Sequence, residues 1–93
     1  KIIIYGEELE KNTFNMTDNM TIGRDPKNFI QFNDKKVSTF HGKIIFEKNV
    51  VINIDLSSTN GSYINGIPIP TEIKVKCFKN DQLLIGRNTF IFN

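Results

Sequence analysis

Apolar positions along this chain recur in short, period-two runs bounded by Gly, Asn, Asp and Pro, the pattern of many brief β-strands joined by turns. The clearest run spans 50–56, where Ile52, Ile54 and Leu56 alternate with Val51, Asn53 and Asp55, predicting one dry face and one mostly polar face. Its partner is predicted over 43–47, across a turn at Lys48 and Asn49. Further strands are predicted over 2–5, 9–14, 20–22, 29–32, 62–64, 67–69, 73–75, 82–85 and 89–92. Roughly ten to eleven short strands at this spacing imply an all-β, antiparallel-rich sandwich or barrel. The stretch 27–41 lacks Gly and Pro, but Asn28, Asn33 and Asp34 compete with helical hydrogen bonds, so it reads as strand then loop. Phe14, Phe29, Phe32, Phe46, Phe78, Phe90 and Phe92 fall at apolar or alternating positions and are expected in the core.

Ninety-three residues, 39% hydrophobic and 24% charged, suit one domain, 1–93, with a core of its own. The first residue is not Met, so the domain is expected to be a piece of a larger protein. No apolar run approaches the ~18 residues of a membrane span, and no membrane contact is expected of the domain. Cys77 is the only cysteine and His41 the only histidine, which excludes an internal disulfide and a Cys/His zinc set. A cytoplasmic chain without metal or cofactor follows as the expectation. The net charge of +2, with acids interspersed among the lysines, is too mild to demand nucleic acid and suits an anionic ligand met at one local site. Asn-X-Ser/Thr matches at Asn15, Asn19 and Asn60 carry little weight among twelve asparagines.

Four local features sit at strand ends or in loops: Ile22-Gly23-Arg24, Ser38-Thr39-Phe40-His41, Ser58-Thr59-Asn60-Gly61, and Asn65-Gly66. Taken singly, Arg24 reads as a solvated cation, Ser38 as a turn-capping hydroxyl, and Asn65-Gly66 as a hairpin turn. Taken together they offer what a phosphate dianion needs, which is several fixed donors. A planar guanidinium holds two phosphate oxygens at once, and Arg24 is one of only two arginines in a lysine-rich chain. Ser38 adds a neutral hydroxyl and a neighbouring backbone N–H.

The order and spacing of these features resemble the forkhead-associated (FHA) domain family over roughly 20–92. The matching pattern is Gly23-Arg24 after a strand, Ser38 to His41 in the next loop, Asp55-Leu56-Ser57-Ser58-Thr59-Asn60-Gly61 after a long strand, and a closing Asp81 to Gly86 segment. The resemblance implies a β-sandwich that binds a phosphothreonine-containing protein or peptide as a monomer. It assigns the phosphate to Arg24 and Ser38, the lining of the site to Thr39 and Thr59, and a hydrogen bond to the peptide backbone to Asn60. Gly23, His41 and Gly61 become structural supports, with His41 bracing the loop that presents Ser38. Members often carry Arg or Asn after the Ser, where this chain has Thr39, and Lys35 or Lys36 is the available substitute.

Other functions fit less well. A hydrolase built from Ser38, His41 and Asp55 lacks a Gly-x-Ser-x-Gly elbow. An oligonucleotide-binding barrel needs exposed aromatics interleaved with cations on one face, whereas the Phe residues here follow apolar periodicity. The nearest rival is an FHA-type docking domain that needs no phosphate. It would sit in a larger bacterial host such as a signalling protein or a type VII secretion ATPase.

Overall fold

In the computed structural model, which describes residues 1–6 and 12–93, every regular element is a strand. In chain order they are β1 (Ile2–Tyr5), β2 (Thr13–Phe14), β3 (Asn19–Gly23), β4 (Ile30–Gln31), β5 (Gly42–Glu47) and β6 (Val50–Asp55), then β7 (Ser62–Ile64), β8 (Ile67–Pro68), β9 (Val75–Cys77), β10 (Gln82–Ile85) and β11 (Asn88–Phe92). One sheet runs β2-β1-β11-β10-β7-β8 and the other β4-β3-β5-β6-β9. All strand pairs are antiparallel except β3 with β4. Two sheets make it a β-sandwich, one of the two architectures that the periodicity allows and the one that the resemblance implies.

Turn chemistry sets the hairpins. Lys48 and Asn49 (φ 52° and 63°) join β5 to β6, and Asn65 and Gly66 (φ 51° and 80°) join β7 to β8. Two consecutive left-handed residues match the right-handed twist of the flanking strands, and Asn and Gly tolerate that conformation best.

The inner faces of the two sheets meet in one cluster that includes Ile2, Ile4, Met20, Ile22, Ile44, Leu83, Ile85 and Phe90, all essentially without solvent contact. Each such side chain contributes about 1.5–3 kcal/mol by leaving water. Phe32 packs edge-on against Phe90, ring centroids 5.9 Å apart.

Several expectations are corrected. On β6 the polar residues face inward: Asn53 and Asp55 are 0% exposed, while Ile54 and Leu56 are only half-buried. The register explains it, because Asn53 pairs with Ile44 and Asp55 with Gly42, on the side that faces the other sheet. Phe29 and Phe78 lie at the surface, 53% and 66% exposed, because each falls in a loop just outside a strand. Phe14 and Phe46 are half-buried, and only Phe32, Phe90 and Phe92 reach the core. The strand expected over 73–75 is shifted to Val75–Cys77, which buries Cys77 opposite Val51. The strand expected over 9–14 is seen as Thr13–Phe14, and its first residues, 9–11, lie outside the described residues.

The two termini meet. The backbone nitrogen of Lys1 donates to the Asn93 carbonyl at 3.0 Å, and the Asn93 N–H donates to the Lys1 carbonyl at 2.8 Å. Pairing of Tyr5 with Thr89 carries the other end of β1 towards the β10–β11 turn.

Candidate functional site

Three loops leave the strands on the side where β3, β4 and β6 end: 24–29, 32–41 and 56–61. The first is shaped by Asp25, whose Oδ1 accepts the Lys27 N–H at 2.8 Å and whose carbonyl accepts the Asn28 N–H at 3.0 Å, around Pro26. Asp followed by Pro is suited to such a turn, through the side-chain acceptor and the preset φ.

The second loop lies along the end of β3. The Arg24 N–H donates to the Ser38 carbonyl at 3.0 Å, and the Asp25 N–H to the Thr39 carbonyl at 3.1 Å. Buried Asn28 adds Nδ2 bonds to the carbonyls of Thr39 and Asp25, at 2.9 and 3.0 Å. Gly23 permits this approach, since a Cβ there would collide with the Thr39 carbonyl oxygen and the Asn28 amide.

Ser38 is fixed from two sides. Its N–H donates to His41 Nδ1 at 3.1 Å, and its Oγ accepts the Thr59 N–H at 3.0 Å. With Oγ used as acceptor, the hydroxyl proton remains available to donate. Because Nδ1 of His41 accepts, the imidazole carries its proton on Nε2, 3.0 Å from the Gly61 carbonyl oxygen and 3.2 Å from Ser62 Oγ. Burial lowers the His41 pKa, outweighing the Gly61 hydrogen bond and the Asp55 charge that raise it. The ring is therefore neutral at pH 7.

Asp55 braces the third loop. Its carboxylate accepts the hydroxyls of Ser58 and Ser62, both at 2.6 Å, and the Ser58 N–H at 2.9 Å. These charge-assisted bonds offset the cost of placing a carboxylate at 0% exposure. The Asn60 amide donates to the Lys36 carbonyl at 3.0 Å, tying the third loop to the second.

The structure thus brings Arg24, Ser38, Thr39, Thr59 and Asn60 onto adjoining loops, with Gly23, His41 and Gly61 in the supporting hydrogen bonds. Arg24, Thr39, Thr59 and Asn60 are exposed, and among the described residues the Arg24 guanidinium has no ion pair. Hydrolase geometry is not assembled around Ser38. His41 is fully buried, its Nδ1 is occupied by a backbone amide, and the hydroxyl beside its Nε2 is that of Ser62, itself buried and committed to Asp55.

The family profile described as "FHA domain" matches residues 20–86. The chain belongs to the FHA domain family.

Solved FHA structures share its fold. The FHA domain of the CT664 protein from Chlamydia trachomatis is 25% identical over 97% of this chain and 91% of its own, with a TM-score of 0.84. The FhaA FHA domain, solved with the intracellular domain of Rv3910, is 23% identical over 98% of both chains, with a TM-score of 0.81. An FHA domain studied for phosphothreonine-dependent interactions is 23% identical over 97% of this chain and 92% of its own, TM-score 0.81. No curated protein matches the chain by sequence.

Two residues of this FHA domain carry supporting roles that the sequence reading did not assign, although Asp55 stands in the matching motif. Asn28 ties the first loop to the second, and Asp55 holds the serines of the third. The signal for Asp55 was present as an Asx-type spacing, Asp-x-x-Ser, directly after a strand. Asn28 had only its place in an Asp-Pro-x-Asn turn.

Proposed function

We propose that this FHA domain is a non-catalytic reader of phosphothreonine in an extended peptide. Arg24 and Ser38 hold the phosphate, and Thr39, Thr59 and Asn60 flank it. One observation carries the reading: the Ser38 Oγ accepts the Thr59 N–H and so keeps its proton free to donate, on a loop whose backbone is bonded to that of Arg24, an exposed cation with no ion pair among the described residues. A preset hydroxyl donor next to a planar cation suits a phosphate monoester, and loops on a rigid sheet bind with little ordering cost. The phosphothreonine-dependent interactions of a similar FHA domain point the same way. The Asn60 amide, tied to Lys36 in the free domain, keeps its remaining polar capacity for the peptide backbone. The Thr39 side chain offers one hydroxyl where many relatives offer a longer donor, and exposed Lys36 supplies the second cation.

The test is a two-dimensional NMR titration with a degenerate phosphothreonine peptide library and its phosphoserine and unphosphorylated counterparts. Shifts confined to Arg24, Ser38, Thr59 and Asn60, and seen with phosphothreonine alone, are expected. Absence of shifts at millimolar peptide would make this an FHA docking domain that needs no phosphate.

A further inference from the structure

The outward face of the sheet β2-β1-β11-β10-β7-β8 carries no charge. Its strands contain no Asp, Glu, Lys or Arg. The registers place Ile3, Tyr5, Tyr63, Pro68, Leu84 and Ile91 on the side away from the core, joined there by two threonines and a glutamine. Tyr5, Thr89, Leu84, Tyr63 and Pro68 follow one another in a single cross-strand row, and Ile3 lies beside Ile91 in the next. Tyr5 and Leu84 are 56% and 38% exposed, Pro68 is exposed, and Ile3, Tyr63 and Ile91 are half-buried. Every strand belongs to one of the two sheets, so no regular element among the described residues lies over this face. The other sheet differs, since its outward residues include Lys43, Glu47 and Lys76.

Charge and size restrict what can cover such a face. With no cation it offers nothing to phosphate or nucleic acid, and a charged partner would lose hydration against it without gaining a counter-charge. The molecule itself supplies a matching surface. Two copies related by a twofold axis lay the same uncharged face against itself, with no like-charge contact although each chain carries a net charge of +2. Sheets pack in this way with their strands aligned to within about 30° and their side chains interdigitated. At about 4.8 Å between strands and 3.4 Å per residue, the roughly twenty strand residues span about 330 Å² in projection, and side-chain relief raises the area that two copies cover to roughly 1,000 Å². Stable complexes bury about 1,200–2,000 Å², so this contact falls among the transient ones.

We infer that this face pairs two copies of the chain in a weak, transient dimer, about a twofold axis near Leu84 and Thr89 on the two central strands, β10 and β11. Leu84 is the central anchor, and Tyr5 and Tyr63 add aromatic area on either side of it. The dimer departs from the monomer that the resemblance implies, and it does not depend on the phosphothreonine reading. The loops that carry Arg24, Ser38 and Asn60 leave the end of the sandwich rather than this face, so pairing leaves them open in both copies.

The test is sedimentation equilibrium of wild type, Leu84→Lys and Ile73→Lys from ~20 µM to ~1 mM, a range that brackets a Kd on the order of 100 µM. The weight-average mass of wild type is expected to rise towards that of two chains. Leu84→Lys sets a charge at the centre of the face and stays monomeric, while its amide spectrum remains that of the folded domain. Ile73→Lys removes a more exposed apolar side chain (52% against 38%) from the loop before β9 and leaves the association intact. A mixture of isotope-labelled and unlabelled wild type, which needs no variant, is expected to give intermolecular NOEs at the methyls of Leu84 and Ile91. A wild type that is monomeric at ~1 mM overturns the pairing and leaves the face to a partner of another sequence. Association that Leu84→Lys fails to weaken by about tenfold, or that Ile73→Lys abolishes equally, overturns this face as the contact. Growth beyond two copies overturns a closed pair in favour of edge-to-edge association.

Discussion

The backbone N–H of Ser38 ends on Nδ1 of His41, 3.1 Å away, so the residue proposed to meet phosphate is held by a fully buried neutral imidazole. Protonation would put a second hydrogen on that nitrogen and set it against the Ser38 N–H. The loop would then lose its anchor.

Burial lowers the His41 pKa from its usual value of 6.5, so the unfolded chain takes up the proton before the folded one does. The stability contribution is therefore complete above about pH 6.5 and declines as pH falls below it. Urea denaturation of wild type is expected to show this decline between pH 7.5 and 5. His41→Ala should cost about 2–4 kcal/mol at pH 7.5, through the cavity and the unpaired Ser38 N–H, and should flatten the acid slope. An unchanged slope would remove His41 as its source.

Asp55→Ala should destabilise the domain by about 3 kcal/mol, since two serine hydroxyls and the Ser58 N–H lose their acceptor in a buried setting. Asp55→Asn should cost less, because one amide oxygen still accepts. Chemical denaturation measures both. Hydrogen exchange at 56–61 should accelerate in the alanine variant first.

Arg24→Ala should weaken phosphothreonine-peptide binding by about tenfold or more and leave the melting temperature unchanged, because the guanidinium is exposed and has no ion pair among the described residues. Calorimetric titration and a thermal melt separate the two effects. Unchanged affinity would take Arg24 out of the site.

Asn53 is the opposite case. Both polar atoms of its side chain are buried without a hydrogen-bond partner among the described residues. Asn53→Leu, which keeps the branching and the number of side-chain heavy atoms, is expected to stabilise the domain by about 1–2 kcal/mol in urea unfolding. A loss of stability would reveal a bridging water in that part of the core.

The architecture was legible in the sequence wherever side-chain alternation and turn chemistry agreed, as in the β5–β6 hairpin with Lys48 and Asn49 at its tip. Alternation failed on β6 because Asp55 trades hydration for three donors supplied by residues 58 and 62, and no periodicity shows that trade. Phe29 and Phe78 misled for a related reason: an aromatic ring one residue beyond a strand has apolar neighbours in sequence but solvent in space. Around the site, the motif residues were visible as a set. The support given by Asn28 was not, because its amide reaches the Thr39 carbonyl, eleven residues away and brought near only by folding, and Asp55 showed its place in the motif but not its role as acceptor for Ser58 and Ser62.

The hydrogen bonds between Lys1 and Asn93 place entry and exit of the chain at one spot, at the end of β1 away from Tyr5 and the β10–β11 turn. A polypeptide that continued from both ends would hold the sandwich as a lollipop on a double stick, with the loops that carry Arg24, Ser38 and Asn60 turned outward. Such a unit can be spliced into a surface loop of an unrelated protein with little strain on either partner.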